Sequence, residues 1–144
     1  MTDMRVARFA ELTPDVLYRI LKLRSDVFVV EQECAYADLD GRDMEPDALH
    51  LWTEADGAVV AYLRVISGPP AGARRIGRVV TAPGSRGEGL ARDLMHKALA
   101  ETMGSVVLDA QSHLVEWYQQ LGFRVAGTEF VEDGIPHVPM RLER

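Results

Sequence analysis

The stretch Gly77–Leu94, which reads GRVVTAPGSRGEGLARDL, joins a short β-branched run to a helical pattern through a turn rich in glycine. Glycine loses more conformational freedom on folding than other residues, so clustered glycines indicate a backbone that needs unusual angles or close approach to a ligand. The free N–H groups and positive dipole at the start of a helix favour a bound anion. The stretch therefore predicts an anion site between a strand and a helix.

Two familiar phosphate-binding motifs fit this turn only in part. A P-loop requires lysine and then serine or threonine after its last glycine, and Leu90 and Ala91 stand there instead. The dinucleotide-binding fingerprint requires a third glycine where Arg92 stands, although Asp109 has the ~20-residue spacing of a ribose contact. A predicted hairpin before the turn also disfavours a dinucleotide fold.

Around the turn, alternation and helical periodicity predict a single domain over residues 1–144. Thr13 is the predicted N-cap of a first helix. Asp56 and Gly57 predict a type I′ hairpin between two strands. The apolar face of the helix after the glycine turn is predicted to extend to Met103.

The remaining elements complete an α/β pattern. Residues 67–75 are predicted as a loop and residues 105–111 as a buried strand. A short helix follows, with Ser112 at its start and Gly122 after its end, and residues 123–143 close the chain as an antiparallel pair. The order β-α-(α)-β-β-β-α-β-α-β-β predicts a central β-α-β unit that contains the glycine turn.

Composition excludes several classes of function. Apolar residues make up 47% of 144, and no apolar run reaches the ~20 residues of a membrane span, so we expect a packed globular protein without a membrane partner. A formal net charge of -6 disfavours nucleic acid as a partner. Cys34 is the only cysteine and the histidines show no paired spacing, so we expect a cytoplasmic protein without a disulfide or a metal site.

The negative charge is concentrated between Glu31 and Asp47, where seven acidic residues accompany Arg42 alone and give a formal charge of -6. One interpretation is a solvated acidic loop. The other is an electrostatic field that attracts a cationic substrate. The charge pattern alone is compatible with both.

A third phosphate-binding pattern, [QR]-x-x-G-x-[GA], is met by RGEGLA at residues 86–91. With this motif, RVVTAP before it and WYQQLGF after it, the chain resembles the GNAT superfamily of acyl-CoA-dependent N-acetyltransferases over almost its whole length. DVFVVEQ, LDGRD, HLW and EDGIPH are similar to the ElaA-like branch of that superfamily. The resemblance implies a GNAT-like fold, with a mixed, mostly antiparallel sheet and helices on both faces.

The resemblance also implies acetyl-CoA as the co-substrate. Backbone N–H groups of the turn would bind its pyrophosphate, which explains the bare glycines. The pantetheine amides would pair with an open strand edge, as an added strand does. The residues predicted to bind acetyl-CoA are Val79, Val80, Thr81, Arg86, Gly87, Glu88, Gly89, Leu90, Ala91, Arg92 and Gln111.

Acyl transfer from a thioester requires an oxyanion donor, an acid for the leaving thiolate and a base for the amine. A backbone N–H near Val80 or Thr81 is the predicted oxyanion donor. The resemblance implies Tyr118 as the acid, and packing of its ring beside Trp117 is the alternative.

The identity of the base stays open. Many relatives place a glutamate on the fourth strand, where Arg78 stands in this chain. Glu31, Glu33 and His137 are the candidates, each with a structural or surface role as the alternative, and a water chain is a further one.

These features predict transfer of acetyl to a small or peptidic primary amine, and the acidic segment favours a cationic one. Two other functions stay open: transfer of a longer acyl group, and a non-catalytic acyl-CoA-binding module that the missing strand glutamate favours. Apolar strand edges near the C-terminus permit a homodimer.

Overall fold

The computed structural model describes residues 2–144, and over that range it contains eight strands and three α-helices. The strands are β1 (Asp3–Arg8), β2 (Leu49–Ala55), β3 (Ala58–Ser67), β4 (Arg74–Thr81), β5 (Val106–Gln111), β6 (Arg124–Val125), β7 (Phe130–Glu132) and β8 (Ile135–Leu142). The helices are α1 (Pro14–Arg24), which continues as a π-helix over Ser25–Glu31, α2 (Leu90–Ala100) and α3 (Val115–Gln119). None of these described helices has the length and apolar character needed to cross a membrane.

The strands form one mixed sheet in the order β1-β2-β3-β4-β5-β8-β6, with β7 paired to the other end of β8. Among the described strands, β4 and β5 form the parallel pair, and α2 connects them. The other pairs are antiparallel. The predicted mostly antiparallel sheet with a central β-α-β unit is therefore confirmed.

Alternating side chains of β3 contribute to a core on each face of the sheet. Leu63 belongs to the core that α2 covers, whereas its neighbour Tyr62 packs in the core under α1. Leu94 of α2 and Ile20 of α1 are 0% and 1% exposed, so each helix buries an apolar face. The prediction of helices on both faces is also confirmed.

Two predicted local features are confirmed by their geometry. The Val16 N–H donates a hydrogen bond of 3.4 Å to the Thr13 hydroxyl, which caps α1. Asp56 and Gly57 have φ angles of 51° and 76°, the positive values that a type I′ hairpin requires. Both features depend on residues within a few positions of one another.

Several predicted boundaries are wrong. The helix α2 ends at Ala100, so Met103 lies beyond it and is 88% exposed. The helix α3 begins at Val115, and Ser112 lies in a preceding 3₁₀ turn without capping it. The strand β4 begins inside the predicted loop because its first two residues pair with β5. The closing pair is three strands, since an irregular segment separates β6 from β7.

Candidate active site

A cleft opens in the sheet between β4 and β5. Over the described residues, these strands pair only at Arg74–Val106 and Arg75–Val107, and beyond that point they diverge. The divergence accompanies a bulge in β4, where the register with β3 shifts and Arg78 has a φ angle of 53°. The cleft leads into a cavity of about 1610 Å³.

The cavity brings together residues that are far apart in the sequence. Every residue predicted to bind acetyl-CoA lines it, from Val79 on β4 to Gln111 at the end of β5. Tyr118 and His137 line it as well, so two of the predicted catalytic side chains share this space. Glu33 is exposed and does not line it. Within residues 2–144, no three His, Cys, Asp or Glu side chains are arranged to hold a metal ion.

The turn between β4 and α2 has the backbone geometry of an anion site. Gly87 and Gly89 have φ angles of 84° and 78°, which other residue types rarely adopt. The N–H groups of residues 87–92 donate to no group in the described part of the chain. They surround the N-terminus of α2, an 11-residue helix, where the dipole is positive. The turn therefore offers several hydrogen-bond donors and partial positive charge to one anion.

One edge of β4 faces the cleft with free backbone groups. The Ala82 N–H donates to the Val60 carbonyl of β3 at 2.8 Å. Because successive N–H groups of a strand point in opposite directions, the Val80 N–H faces β3 and the Thr81 N–H faces the cleft. The Thr81 carbonyl lies on the same side and accepts a hydrogen bond of 3.2 Å from Arg86 Nε. A ligand in the cleft can therefore reach the Thr81 N–H.

Tyr118 is held in the cavity wall by aromatic packing. It is 6% exposed, and its ring makes edge contacts with Trp117 and Phe123 at centroid distances of 4.9 and 6.2 Å. Burial raises the pKa of its phenol to about 12. Burial alone causes this shift, without a hydrogen bond from the described residues 2–144 to its hydroxyl. The phenol is therefore protonated at neutral pH and available to a ligand.

His137 on β8 has one ring nitrogen engaged and one free. Its Nδ1 lies 2.8 Å from the Ile135 carbonyl, which can only accept, so a neutral ring carries its proton on Nδ1 and leaves Nε2 as an acceptor. The ring stacks on Phe130 at a centroid distance of 5.7 Å, and the strand register places it opposite Gln111. An imidazole in this state can accept a proton from a ligand in the cavity.

The acidic segment forms buried ion pairs. Arg24 is 1% exposed and lies 3.0 Å from the Asp38 carboxylate and 2.8 Å from that of Asp43. Arg64 lies 3.0 Å from Asp43 and 2.6 Å from Asp40. Hydrogen bonds from Arg64 hold the pKa of Asp40 well below its usual range. For these three carboxylates both sequence interpretations are wrong, because arginine neutralises charge that is neither fully solvated nor free to attract a substrate.

Several charged residues that line the cavity were not predicted as site residues, among them Arg64, Asp40 and Arg78. Arg78 Nε lies 2.9 Å from the Asp38 carboxylate, and its guanidinium lies 5.3 Å from the centroid of the Tyr36 ring. The position of Arg64 within the apolar run of β3 indicates a buried ion pair, because a buried charge requires a partner. The partner itself lies too far along the chain to be identified from that run.

Known proteins resemble this chain in sequence and in structure. A family model described as "Acetyltransferase (GNAT) domain" matches residues 22–144. A UPF0039 protein of Mycobacterium tuberculosis is 46% identical over 134 residues, which cover 90% of this chain and 86% of that protein. A crystal structure of an acyl-CoA N-acyltransferase from Pseudomonas aeruginosa has a TM-score of 0.93 and 40% identity, and the match covers 99% of both chains. The crystal structure of Escherichia coli ElaA has a TM-score of 0.93 and 36% identity, and the match covers 99% of this chain and 100% of that one.

Proposed function

Because the chain belongs to the GNAT family of acetyltransferases, we propose that it transfers an acetyl group from acetyl-CoA to a primary amine. One observation carries the proposal: a single cleft joins the unpartnered N–H groups of residues 87–92 to the phenol of Tyr118. A pyrophosphate at the turn and a thioester at the phenol would be two parts of one CoA molecule lying along β4.

The turn has room for such a ligand beside its backbone. A Cβ placed on Gly87 would meet no atom within 4 Å, so phosphate oxygens can approach the bare backbone there. The β4 edge that diverges from β5 faces the cleft, so the pantetheine amides can pair with its main chain in the manner of an added strand. Both interactions use main-chain groups, so they depend on the backbone path rather than on particular side chains.

Attack of the amine forms a C–N bond and converts the thioester carbonyl into an oxyanion. The Thr81 N–H faces the cleft, so we assign it as the oxyanion donor. Removing one such donor typically lowers the rate by about 10²- to 10³-fold. The donor belongs to a paired strand, so it is already in position before the reaction begins.

Tyr118 is the proposed acid for the next step, in which the C–S bond breaks and the thiolate leaves. With a phenol pKa of about 12 and an ordinary thiol pKa of ~8.5, proton transfer is uphill by roughly 5 kcal/mol. A turnover of ~10 s⁻¹ corresponds to a barrier of about 16 kcal/mol, so this cost is compatible with catalysis. Tyr118 can therefore act as an acid, although its burial makes it a weak one.

His137 is the proposed base that takes the proton of the attacking amine. Glu33 lies outside the cavity. Glu31 lines it, but a hydrogen bond from Arg86 holds the pKa of Glu31 below its usual value, which makes it a poorer base. His137 combines a place in the cavity with an acceptor nitrogen that no described residue occupies.

We also propose that the amine is cationic. Glu132 and Asp133 support this preference, because they line the cavity and form no ion pair with the described residues. Thiol release from acetyl-CoA with polyamines, aminoglycosides and lysine peptides, compared with neutral and acidic amines, tests it. Faster release with the cationic acceptors is expected, and reaction with neutral or acidic amines alone would contradict it.

Two alternatives give different results in the same assays. A non-catalytic module is favoured by the ion-paired Arg78 at the position where relatives carry a glutamate; it would bind CoA in calorimetry and release no thiol with any amine. A transferase of longer acyl groups, which the cavity volume permits, would use butyryl- or hexanoyl-CoA faster than acetyl-CoA.

Calorimetry with CoA and with pantetheine tests the proposed pyrophosphate site itself. Pantetheine lacks the pyrophosphate, so equal affinities for the two ligands would exclude that site.

A further inference from the structure

We infer that Glu31 is a positioning residue that sets the affinity for CoA through Arg86, because it competes with the pyrophosphate for one guanidinium. The inference rests on the proposed function of the cavity. It starts from a two-pronged contact: Arg86 Nη1 donates to Glu31 Oε2 at 2.8 Å, and Nη2 donates to Oε1 at 2.7 Å.

This contact occupies the groups that Arg86 would offer to a phosphate. A guanidinium binds a carboxylate or a phosphate through the same pair of parallel N–H groups. In Arg86 that pair faces Glu31, and the remaining Nε donates to the Thr81 carbonyl at 3.2 Å. A pyrophosphate that takes the pair must therefore displace Glu31.

The contact is suited to exchange. The side chains of Arg86 and Glu31 are 45% and 41% exposed, so a ligand can reach the guanidinium and water can solvate the released carboxylate. Ion pairs with this exposure contribute little net free energy. Glu31 therefore lowers the affinity for CoA modestly without preventing binding.

Displacement of Glu31 is also expected to affect the part of the cavity wall that the π-helix forms. Glu31 is the last residue of the π-helix, which contributes Val27 and Phe28 to the cavity. Just beyond it, the Cys34 thiol lies 3.4 Å from the Asp133 carbonyl in the turn between β7 and β8. The end of this helix is thus linked to the CoA turn through Arg86, and to the turn between β7 and β8 through Cys34. Loss of the first link is expected to loosen residues 29–34.

Calorimetry of CoA binding in a double-mutant cycle tests the inference. Glu31→Gln is expected to bind CoA about two- to fivefold more tightly than the wild type. Arg86→Ala is expected to bind it more weakly, and adding Glu31→Gln to Arg86→Ala should then change nothing. Glu129→Gln makes the same charge change on an exposed residue outside the cavity and should leave CoA affinity unaltered. Pantetheine, which lacks the pyrophosphate, should bind all four variants and the wild type alike.

Amide hydrogen exchange supplies a second readout. In the wild type, CoA should speed the exchange of residues 29–34. In Glu31→Gln without CoA, these residues should exchange as fast as in the CoA-bound wild type. An unchanged or lower CoA affinity in Glu31→Gln overturns the inference. So does a gain that persists in the Arg86→Ala background, because direct repulsion between Glu31 and phosphate would explain it. Absence of any CoA binding by the wild type would instead contradict the proposed function, so the two failures are distinguishable.

Discussion

The Tyr62 hydroxyl donates a hydrogen bond of 2.6 Å to His50 Nδ1, and both side chains are buried, at 0% and 1% exposure. The other ring nitrogen, Nε2, lies 2.9 Å from the Asp43 carbonyl, which can only accept, so Nε2 carries the proton. Burial lowers the pKa of His50, which keeps the ring neutral in the fold. The ring therefore links β2 and β3 to the loop that carries the buried carboxylates.

Stability is expected to fall as the pH drops below ~6.5, the ordinary pKa of histidine. Below that pH the unfolded chain binds a proton at His50 that the folded chain does not. Each pH unit therefore lowers the free energy of unfolding by up to about 1.4 kcal/mol. A further loss should begin below ~4, because arginine hydrogen bonds lower the pKa of Asp40 and, despite burial, also that of Asp43.

Urea unfolding at pH 8, 5.5 and 3 measures both losses. Glutamine can donate to the Asp43 carbonyl and accept from Tyr62 but does not titrate, so His50→Gln should flatten the curve between pH 8 and 5.5. An undiminished slope in that variant would assign the first loss to another group.

Removal of Asp43 is expected to cost about 3–5 kcal/mol, because it leaves the buried guanidinium of Arg24 and that of Arg64 without a shared partner. Asp26 provides a matched comparison, since it forms an exposed pair with Lys22 at 2.6 Å. Asp26→Ala should cost less than about 1 kcal/mol. Urea unfolding of Asp43→Ala and Asp26→Ala at pH 8 measures the difference, and equal losses would contradict a structural role for the buried cluster.

Those parts of the fold that depend on local rules could be predicted from the sequence. The hairpin at Asp56–Gly57 and the cap at Thr13 each involve residues within a few positions. The backbone of the glycine turn could be predicted because Gly87 and Gly89 stand where φ angles near 80° disfavour other residue types. In each case the residue type reports the backbone geometry directly.

The remaining features depend on pairings that the sequence does not reveal. Arg24 and Asp43 are 19 residues apart, and charge pattern alone does not tell which carboxylate meets which guanidinium. The family resemblance implies a bulge in β4 near Val79–Thr81, but arginine gives no sign of a positive φ angle, so its position at Arg78 is visible only in the register between β3 and β4. The π-helix over Ser25–Glu31 follows α1 without a break, so the sequence pattern does not separate the two.

Gly87→Ala is expected to weaken CoA binding about tenfold or more. Alanine at a φ angle of 84° costs ~1–2 kcal/mol, and relief of that strain turns the N–H groups of the turn away from the anion. Gly57 is a matched control, because it has a φ angle of 76° and also no atom within 4 Å of an added Cβ. Gly57→Ala should lower the melting temperature similarly but leave the Kd for CoA unchanged in calorimetry. A similar Kd for the two variants would contradict the anion site.

Tyr118→Phe is expected to lower kcat by about 10²- to 10⁴-fold and to leave the Kd for CoA unchanged. Stability should change by less than about 0.5 kcal/mol, since burial alone, and no hydrogen bond from the described residues, shifts the pKa of this hydroxyl. With a pKa of about 12, the phenol of Tyr118 stays protonated between pH 7 and 10 and should cause no alkaline loss of kcat there. Thiol release across that range checks this: an alkaline loss that disappears in Tyr118→Phe would contradict the raised pKa, and an unchanged kcat in Tyr118→Phe would contradict its role as the acid.

His137→Gln is expected to lower kcat/KM for a protonated amine at pH 7, by about 10²-fold if the ring is the base. Glutamine can still donate to the Ile135 carbonyl, but it provides no basic nitrogen. The deficit should shrink toward pH ~10, near the amine's own pKa of ~10.4, because solvent then removes the proton and the base is no longer needed. Glu33→Gln, measured over the same pH range, tests the rival base. A deficit confined to Glu33→Gln would move the assignment to that residue. If both variants matched the kcat/KM of the wild type at every pH, a chain of water molecules would be favoured as the base.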